Sequence, residues 1–303
     1  MCKNMNSFSF NRFGKTLRWV MAVNLRTLLM WTIGSVVAVF VGELMTAEIR
    51  NLSAYQMVYL YGTMGSALFI LVSLIMASTI VSSVNEKRKR QAFLMMPSTN
   101  LEKFLSLLVY TSVICVACVF LAFVLGDCLR MAWFWIKIHS FSTEYQVSVI
   151  GDPVETYHGW SSALPKLIEN LTPNVLDPDS YRRTWFYNAM TLFVISAVGV
   201  WIHSLLIICG TLLRKYAFVV ASLIIILCSI LLSWTIHHFG LFLFWGDVWK
   251  DGIHYESEVG ALAYVLAVLL PALAVFNYWA SFHIFKHFEL ITNKWTNYDI
   301  LKR

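Results

Sequence analysis

The chain has 303 residues, of which 58% are hydrophobic and only 13% are charged, and its formal net charge is +6. A soluble domain carries about a quarter charged residues, so this composition excludes an ordinary water-soluble globular protein. Helices and closed barrels are the only folds that satisfy every backbone polar group inside a bilayer. Because the apolar runs are long and lack the strict alternation of barrel strands, the sequence predicts an all-α membrane protein.

Six apolar stretches approach or exceed the roughly 20 residues that a membrane-spanning helix needs. They predict spans over residues 27–45, 57–84, 104–125, 186–213, 217–236 and 261–282. The connecting segments on one side hold sixteen Lys and Arg against four acids, and those on the other side hold seven against thirteen. Segments rich in Lys and Arg stay in the cytoplasm, so both chain ends are predicted to be inside. The net charge is therefore an asymmetry between the two sides, and we expect no nucleic-acid partner.

The spans divide the chain into five consecutive regions. They are an N-terminal interfacial region (1–26), spans one to three (27–131) with an inner coupling loop (85–103), an external segment (132–184), spans four to six (185–282) and a cytoplasmic tail (283–303). In the first region, apolar residues recur at helical spacing opposite basic ones, which predicts an amphipathic helix lying on the lipid bilayer and leading into the first span. The external segment holds four prolines and mixed charges, which predicts a small cap of short helices and loops.

One possible nucleotide site lies at Gly14-Lys15-Thr16. These residues match the end of the phosphate-binding pattern G-x-x-x-x-G-K-S/T, but position 9 is a serine and no strand pattern precedes it. We therefore predict no nucleotide site, no catalytic residue and no cofactor, and we expect the polypeptide to hydrolyse nothing itself.

Polar residues inside the spans are the next candidates for function. Asn188 and His203 both fall in the predicted fourth span, and ionisable groups in a membrane are costly and often functional. We mark both as candidate intramembrane polar sites, although a hydrogen bond between packed helices is the interpretation that we favour. His283 and His287 have the spacing of two metal ligands on one helix face, but we can place neither a third ligand nor a base. We therefore predict a solvated pair and no metal site.

An aromatic stretch over residues 240–249 follows the fifth span and is too short to form another. Two interpretations stay open, namely a re-entrant segment and an interfacial one. We favour the interfacial segment slightly, because Trp and Phe settle at the depth of the lipid headgroups.

The inner loop is the most informative passage, and residues 85–105 read NEKRKRQAFLMMPSTNLEKFL. A basic run leads to an apolar patch and then to a proline. Thr99 and Glu102 have the spacing of a capping box, so a helix is predicted to begin near Thr99 and to run into the third span. We expect the chain to turn on the cytoplasmic surface and to display Phe93, Leu94, Met95 and Met96 there. Methionines beside an aromatic residue suit an adaptable contact surface, whereas a tether of residues 87–90 to anionic headgroups is the alternative.

The stretch Leu94-Met95-Met96-Pro97-Ser98-Thr99-Asn100-Leu101-Glu102-Lys103-Phe104-Leu105 resembles the permease subunits of ABC transporters of the type-2 exporter class, in particular a divergent group common in Bacteroidota. The N-terminal helix, which begins Phe10-Asn11-Arg12-Phe13-Gly14, and the six-span layout share the resemblance. It implies ATP-driven export across a bacterial inner membrane, with a separate ATPase subunit and two permease subunits, identical or different. Lipids, glycans, peptides and drugs stay open as cargo. Under this resemblance the residues assigned to ATPase coupling are Arg90, Phe93, Leu94, Met95, Met96, Pro97 and Glu102.

Two other classes of function stay open. A membrane enzyme that acts on lipid-linked substrates would need polar catalytic residues clustered at one depth, whereas Glu43, Asn188 and His203 are dispersed along the sequence. A non-transporting sensor or scaffold would use the external segment as its ligand module.

Overall fold

The structure is a computed structural model that describes residues 8–47, 54–83, 87–141, 146–147, 155–156, 162–172, 185–213, 216–245, 248–250, 253–255 and 258–287. Its α-helices are α1 (Phe10–Ala47), α2 (Ala54–Ser83), α3 (Lys87–Leu94), α4 (Asn100–Val109), α5 (Cys115–Phe141), α6 (Leu164–Leu171), α7 (Trp185–Leu212), α8 (Ala217–Phe239) and α9 (Ala261–Lys286). A π-helix over Tyr110–Ile114 joins α4 to α5, so that α4, the π-helix and α5 continue one another.

Six helical stretches among the described residues are long and apolar enough to cross a membrane. They are Phe10–Met45, Tyr59–Ser78, Asn100–Lys137, Phe186–Leu212, Ala217–Phe239 and Ala261–Lys286. The prediction of an all-α protein with six membrane-spanning helices is therefore confirmed. The last three stretches agree with the predicted spans to within four residues, whereas the first and third are much longer than predicted.

The first long stretch is longer because α1 is uninterrupted. The predicted interfacial helix and the predicted first span are two parts of this single helix. The side-chain pattern changes from amphipathic to apolar near Arg26, but the segment from Phe10 to Ala47 holds no proline. Nothing in its backbone therefore ends the helix where the pattern changes.

The described chain divides into two compact units. The first comprises residues 1–25, 74–113 and 173–303, and the second comprises residues 26–73 and 114–172. The core of the first unit lies where the end of α2 and the helices α7 and α8 pack, and its buried residues are Ala77, Leu205, Leu206, Cys209, Ala217 and Ala221. The core of the second unit joins α1, α2, α5 and the region of α6, and its buried residues are Val39, Tyr61, Phe123, Ala163 and Leu167.

Short antiparallel strands lie between the helices. In the external segment β1 (Gln146–Val147) pairs with β2 (Glu155–Thr156). After α8, β3 (Phe244–Trp245) pairs with β6 (Glu258–Val259), and β4 (Val248–Lys250) pairs with β5 (Ile253–Tyr255). The external segment was predicted to hold short helices and loops. Helix α6 agrees with that prediction, whereas the strand pair was not predicted.

Within the aromatic stretch after α8, the described residues Phe244 and Trp245 form β3, and Val248 and Trp249 belong to β4. Neither sequence interpretation anticipated these strands. Helix α8 ends at Phe239 because Gly240 adopts a left-handed conformation with φ of 59°. The chain returns at Gly260, whose N–H donates to the carbonyl oxygen of Leu243 at 3.0 Å. A Cβ atom at Gly260 would overlap the carbonyl oxygen of Phe242, so this close approach requires glycine.

Candidate functional site on the inner loop

The turn into the third long helix is closed by the predicted capping box. The hydroxyl of Thr99 accepts a hydrogen bond from the N–H of Glu102 at 3.2 Å. In return, Oε2 of Glu102 accepts one from the N–H of Thr99 at 2.9 Å. Both cap bonds are present, and α4 begins at Asn100. The predicted helix start is therefore confirmed to within one residue.

Glu102 also binds the beginning of α1. Its carboxylate accepts hydrogen bonds from Nε and Nη2 of Arg12, at 3.2 and 3.0 Å, and from the N–H of Ser9 at 2.7 Å. The side chain of Glu102 is 0% exposed, whereas that of Arg12 is 28% exposed. One buried carboxylate thus fastens two segments that lie 90 residues apart in the sequence. The cap spacing in the sequence identifies Glu102, whereas no local pattern indicates Arg12 as its partner.

Phe93 is buried, which corrects the prediction that it is displayed on the surface. Its ring stacks on Trp19 at 5.7 Å between centroids and meets the edge of Phe285 at 6.0 Å, and its exposed fraction is 1%. Phe104 packs on Phe282 and Phe285 at 5.3 and 5.8 Å. These five rings, the aromatic anchor, hold α3 and α4 against α1 and α9. The apolar side of α3 therefore faces protein.

The remaining loop residues form a smaller exposed surface than predicted. Met95 is 84% exposed and Pro97 is also exposed, whereas Leu94 and Met96 are half-buried. Arg90 is buried, so its part in any contact with a partner is indirect. The exposed surface of the loop is thus centred on Met95. The loop itself is fixed to the neighbouring helices by the aromatic anchor and by the hydrogen bonds of Glu102.

A groove of 780 Å³ lies beside this surface, where the start of α1, the turn after α3, the start of α4 and the end of α9 meet. Its lining residues are Arg12, Leu94, Met96, Pro97, Ser98, Thr99, Asn100, Leu101, Lys103, Phe282 and Lys286. Three of them are cations, and none of these lining residues is an acid. Lys103 is 3% exposed, and its ammonium donates to the carbonyl oxygen of Leu94 at 2.8 Å. The lysine therefore closes the turn after α3.

His203, the first intramembrane candidate, bridges three helical segments of the first unit. Its Nε2 lies 3.1 Å from the hydroxyl of Thr111 in the π-helix, and its Nδ1 lies 2.7 Å from the hydroxyl of Tyr278 in α9. A second contact joins the residues next to His203 and Tyr278, since the side-chain amide of Asn277 donates to the hydroxyl of Ser204 at 3.0 Å. Both ring nitrogens of His203 are thus engaged by neighbouring helices, which favours the packing interpretation.

Asn188, the second intramembrane candidate, is not brought near His203. Fifteen residues of α7 separate the two, which corresponds to about 22 Å along a helix. The side-chain oxygen of Asn188 is buried and has no hydrogen-bond partner among the described residues. The two polar residues therefore form no common site.

His283 and His287 lie side by side at the end of α9, with their ring centroids 4.8 Å apart. Both are exposed, and Nδ1 of His287 lies 2.9 Å from the carbonyl oxygen of His283. Within the part of the chain that the structure describes, no three His, Cys, Asp or Glu residues come together as metal ligands. This geometry agrees with a solvated pair.

A buried ion cluster in the second unit was missed by the sequence analysis. The guanidinium of Arg130 is 0% exposed and binds the carboxylates of Glu43, at 2.8 Å, and Asp127, and it lies 4.5 Å from the ring centroid of Tyr61. The second oxygen of Asp127 accepts hydrogen bonds from the hydroxyl of Ser162 and the N–H of residue 163, just before α6. Asp127 and Arg130 were predicted to lie beyond the third span, but both lie within α5. Their pairing compensates the cost of burying the two charges.

The i, i+3 spacing of Asp127 and Arg130 was the one local signal for this cluster. Glu43, the second carboxylate, lies 87 residues away in the sequence. Short-range spacing therefore could not identify it.

Comparison of the chain with protein-family models, with curated proteins and with solved structures found no match. The resemblance to type-2 exporter permeases accordingly rests on the residues of the inner loop and on the layout of the spans. The family and the function that it implies stay predictions.

Proposed function

We propose that this chain is the membrane-spanning permease subunit of an ATP-driven exporter, in which a separate ATPase subunit docks on the inner loop. The observation that carries the proposal is the arrangement of that loop. An exposed methionine, Met95, directly follows the short helix α3, which is held in place through the buried ring contacts of Phe93. Such a surface is accessible to a partner and fixed to the membrane helices at the same time.

The contacts beneath Met95 suit the transmission of movement. Helix α3 packs through Phe93 on α1 and α9, and the start of α4 is tied to α1 through Glu102 and Arg12. A partner that moves the loop would therefore move the ends of three long helices together, as a rigid body. A loop that only tethers the chain to headgroups would need none of these buried contacts.

The remaining parts of the proposal follow from the resemblance. ATP hydrolysis belongs to the partner subunit, two permease subunits assemble in one complex, and the membrane is a bacterial inner membrane. Export is the direction that the type-2 class implies. The cargo is one of the four classes named above.

Replacement of Met95 by serine tests the docking surface. We expect the amount of ATPase that co-purifies to fall about tenfold, because an exposed apolar anchor at the centre of an interface contributes about 1–2 kcal/mol. The measurement is co-expression of the chain with the ATPase encoded beside it, followed by affinity purification and quantification of both subunits. Met95 is 84% exposed, so the change leaves the fold intact.

Met45→Ser is the matched control, because Met45 is 69% exposed and lies at the opposite end of α1. The control should retain the ATPase at the level of the native chain. Equal retention by both variants would contradict docking at Met95. Failure of the native chain to bind any neighbouring ATPase would contradict the permease function as a whole.

A further inference from the structure

The groove beside the inner loop contains a buried cation without a counter-charge. The ammonium of Lys103 is in a side chain only 3% exposed, and its hydrogen bond goes to a neutral carbonyl oxygen, that of Leu94. Among the described residues no carboxylate pairs with it. A buried charge is costly unless an opposite charge accompanies it. The groove is therefore suited to an anion that comes from outside this chain.

The other cations of the groove strengthen this conclusion. The charge of Arg12 is compensated by Glu102. Lys286 is exposed, and its ammonium lies 5.0 Å from the ring centroid of Phe282 without an ion pair among the described residues. The groove thus has two positive charges, those of Lys103 and Lys286, that no lining acid compensates. Both lie on helices of the first unit, so the arrangement belongs to a single compact unit.

The location and lining of the groove point to an amphiphilic ligand. It lies at the start of α4, which begins the membrane-spanning stretch Asn100–Lys137, and at the end of α9, which is itself long enough to span a membrane. By the predicted topology these ends are cytoplasmic, at the depth of the headgroups, where basic pockets between helices bind anionic lipids. Leu94, Met96 and Phe282 supply apolar lining beside the cations. A volume of 780 Å³ is in the range of small-molecule sites.

We propose that this groove binds the phosphate group of an anionic phospholipid, with Lys103 and Lys286 as its cationic ligands. Asn100 and Leu101, the first two residues of α4, also line the groove. The first N–H groups of a helix have no acceptor within it, so they are further donors for an anion. Bound phospholipid compensates the buried ammonium of Lys103 and fills the apolar part of the groove. The site does not depend on the docking of an ATPase. It adjoins the surface around Met95, but Met95 itself does not line the groove.

Lys103→Met tests the site in the full-length chain. The purified native protein and the variant are placed in nanodiscs of phosphatidylcholine, alone or with phosphatidylglycerol, and their thermal unfolding is compared. We expect phosphatidylglycerol to raise the Tm of the native protein, because a ligand that binds only the folded state stabilises it. The variant should lose this rise. In phosphatidylcholine alone the variant loses the hydrogen bond to Leu94 together with the uncompensated charge, so its Tm should lie close to that of the native chain.

Lys15→Met is the matched control, since Lys15 is an exposed lysine of α1 that is absent from the groove lining. It should keep the full rise in Tm. Native mass spectrometry gives a second readout, in which we expect retention of phosphatidylglycerol by Lys103→Met to fall about tenfold, as for loss of one charge-assisted hydrogen bond. Lys286→Met, at an exposed position, supplies the same readout if Lys103→Met fails to fold.

Two results would overturn the proposal. One is an equal response of the native protein and both groove variants to phosphatidylglycerol. The other is an equal rise in Tm when inorganic phosphate is added to nanodiscs of phosphatidylcholine, which would identify the ligand as a soluble anion. Neither result would affect the co-purification of the ATPase, so this test and that of the proposed function are independent.

Discussion

Replacement of Glu102 by alanine is expected to lower the free energy of unfolding by about 3 kcal/mol, as the sum of a lost helix cap and lost hydrogen bonds to a charged group. The variant loses the reciprocal cap of α4 and leaves the guanidinium of Arg12 and the N–H of Ser9 without their shared acceptor. Under the proposed permease function, we also expect coupling between ATP hydrolysis and transport to be lost, because the same carboxylate fastens α4 to α1. Thermal unfolding in one detergent measures the loss of stability. The ATPase activity of the complex with its ATPase subunit, reconstituted in nanodiscs, measures the loss of coupling.

Glu169→Ala is the comparison for this change. Glu169 pairs with Lys166, but its side chain is 44% exposed, and exposed ion pairs contribute only about 0–1 kcal/mol. Glu102→Gln keeps the shape of the side chain, so its free energy of unfolding should lie between that of Glu169→Ala and that of Glu102→Ala. If Glu102→Ala unfolds at the same temperature as Glu169→Ala, the carboxylate does not fasten the two segments.

Replacement of Arg130 by methionine is expected to have the second large effect, a loss of about 3–5 kcal/mol, as for other buried ion pairs that lose one partner. The change leaves the carboxylates of Glu43 and Asp127 in a site where both are almost fully buried, without the cation that compensates them. Thermal unfolding of the purified protein measures the loss, and the yield from membranes gives a second readout. Arg130→Lys should recover only part of the stability, because an ammonium lacks the planar fork that binds two carboxylates.

A double-mutant cycle separates this ionic effect from simple loss of packing. Adding Glu43→Gln to Arg130→Met removes one of the two uncompensated charges, so the double variant should be more stable than the sum of the two single changes predicts. Arg88→Met is the control, since Arg88 is exposed on α3 and should change stability by no more than about 0.5 kcal/mol. The buried ion cluster would not contribute as proposed if the cycle were additive. The same would follow if Arg130→Met lowered the free energy of unfolding no more than Arg88→Met does.

The sites of these changes differ in how far local sequence could identify them. The capping role of Glu102 follows from a spacing of three residues and was predicted correctly, whereas its second role depends on Arg12, which is 90 residues away. Phe93 was assigned to the surface because it stands in an apolar patch at the predicted cytoplasmic turn. Its burial depends on Trp19 and Phe285, from two other helices, and no periodicity within an eight-residue helix specifies those partners.

The class of fold, the number of spanning helices and the start of the third long helix could all be predicted from the amino-acid sequence alone. These features depend on the length of apolar runs and on short-range cap chemistry, because in a bilayer the backbone must satisfy its hydrogen bonds within each segment. The exposure of the inner-loop side chains, the burial of the ion pairs and the position of the groove could be read only from the folded chain. Those features depend on contacts between segments far apart in the chain. Whether a buried charge such as that of Arg130 or Lys103 stabilises or destabilises the fold depends on its partners, which only the structure identifies.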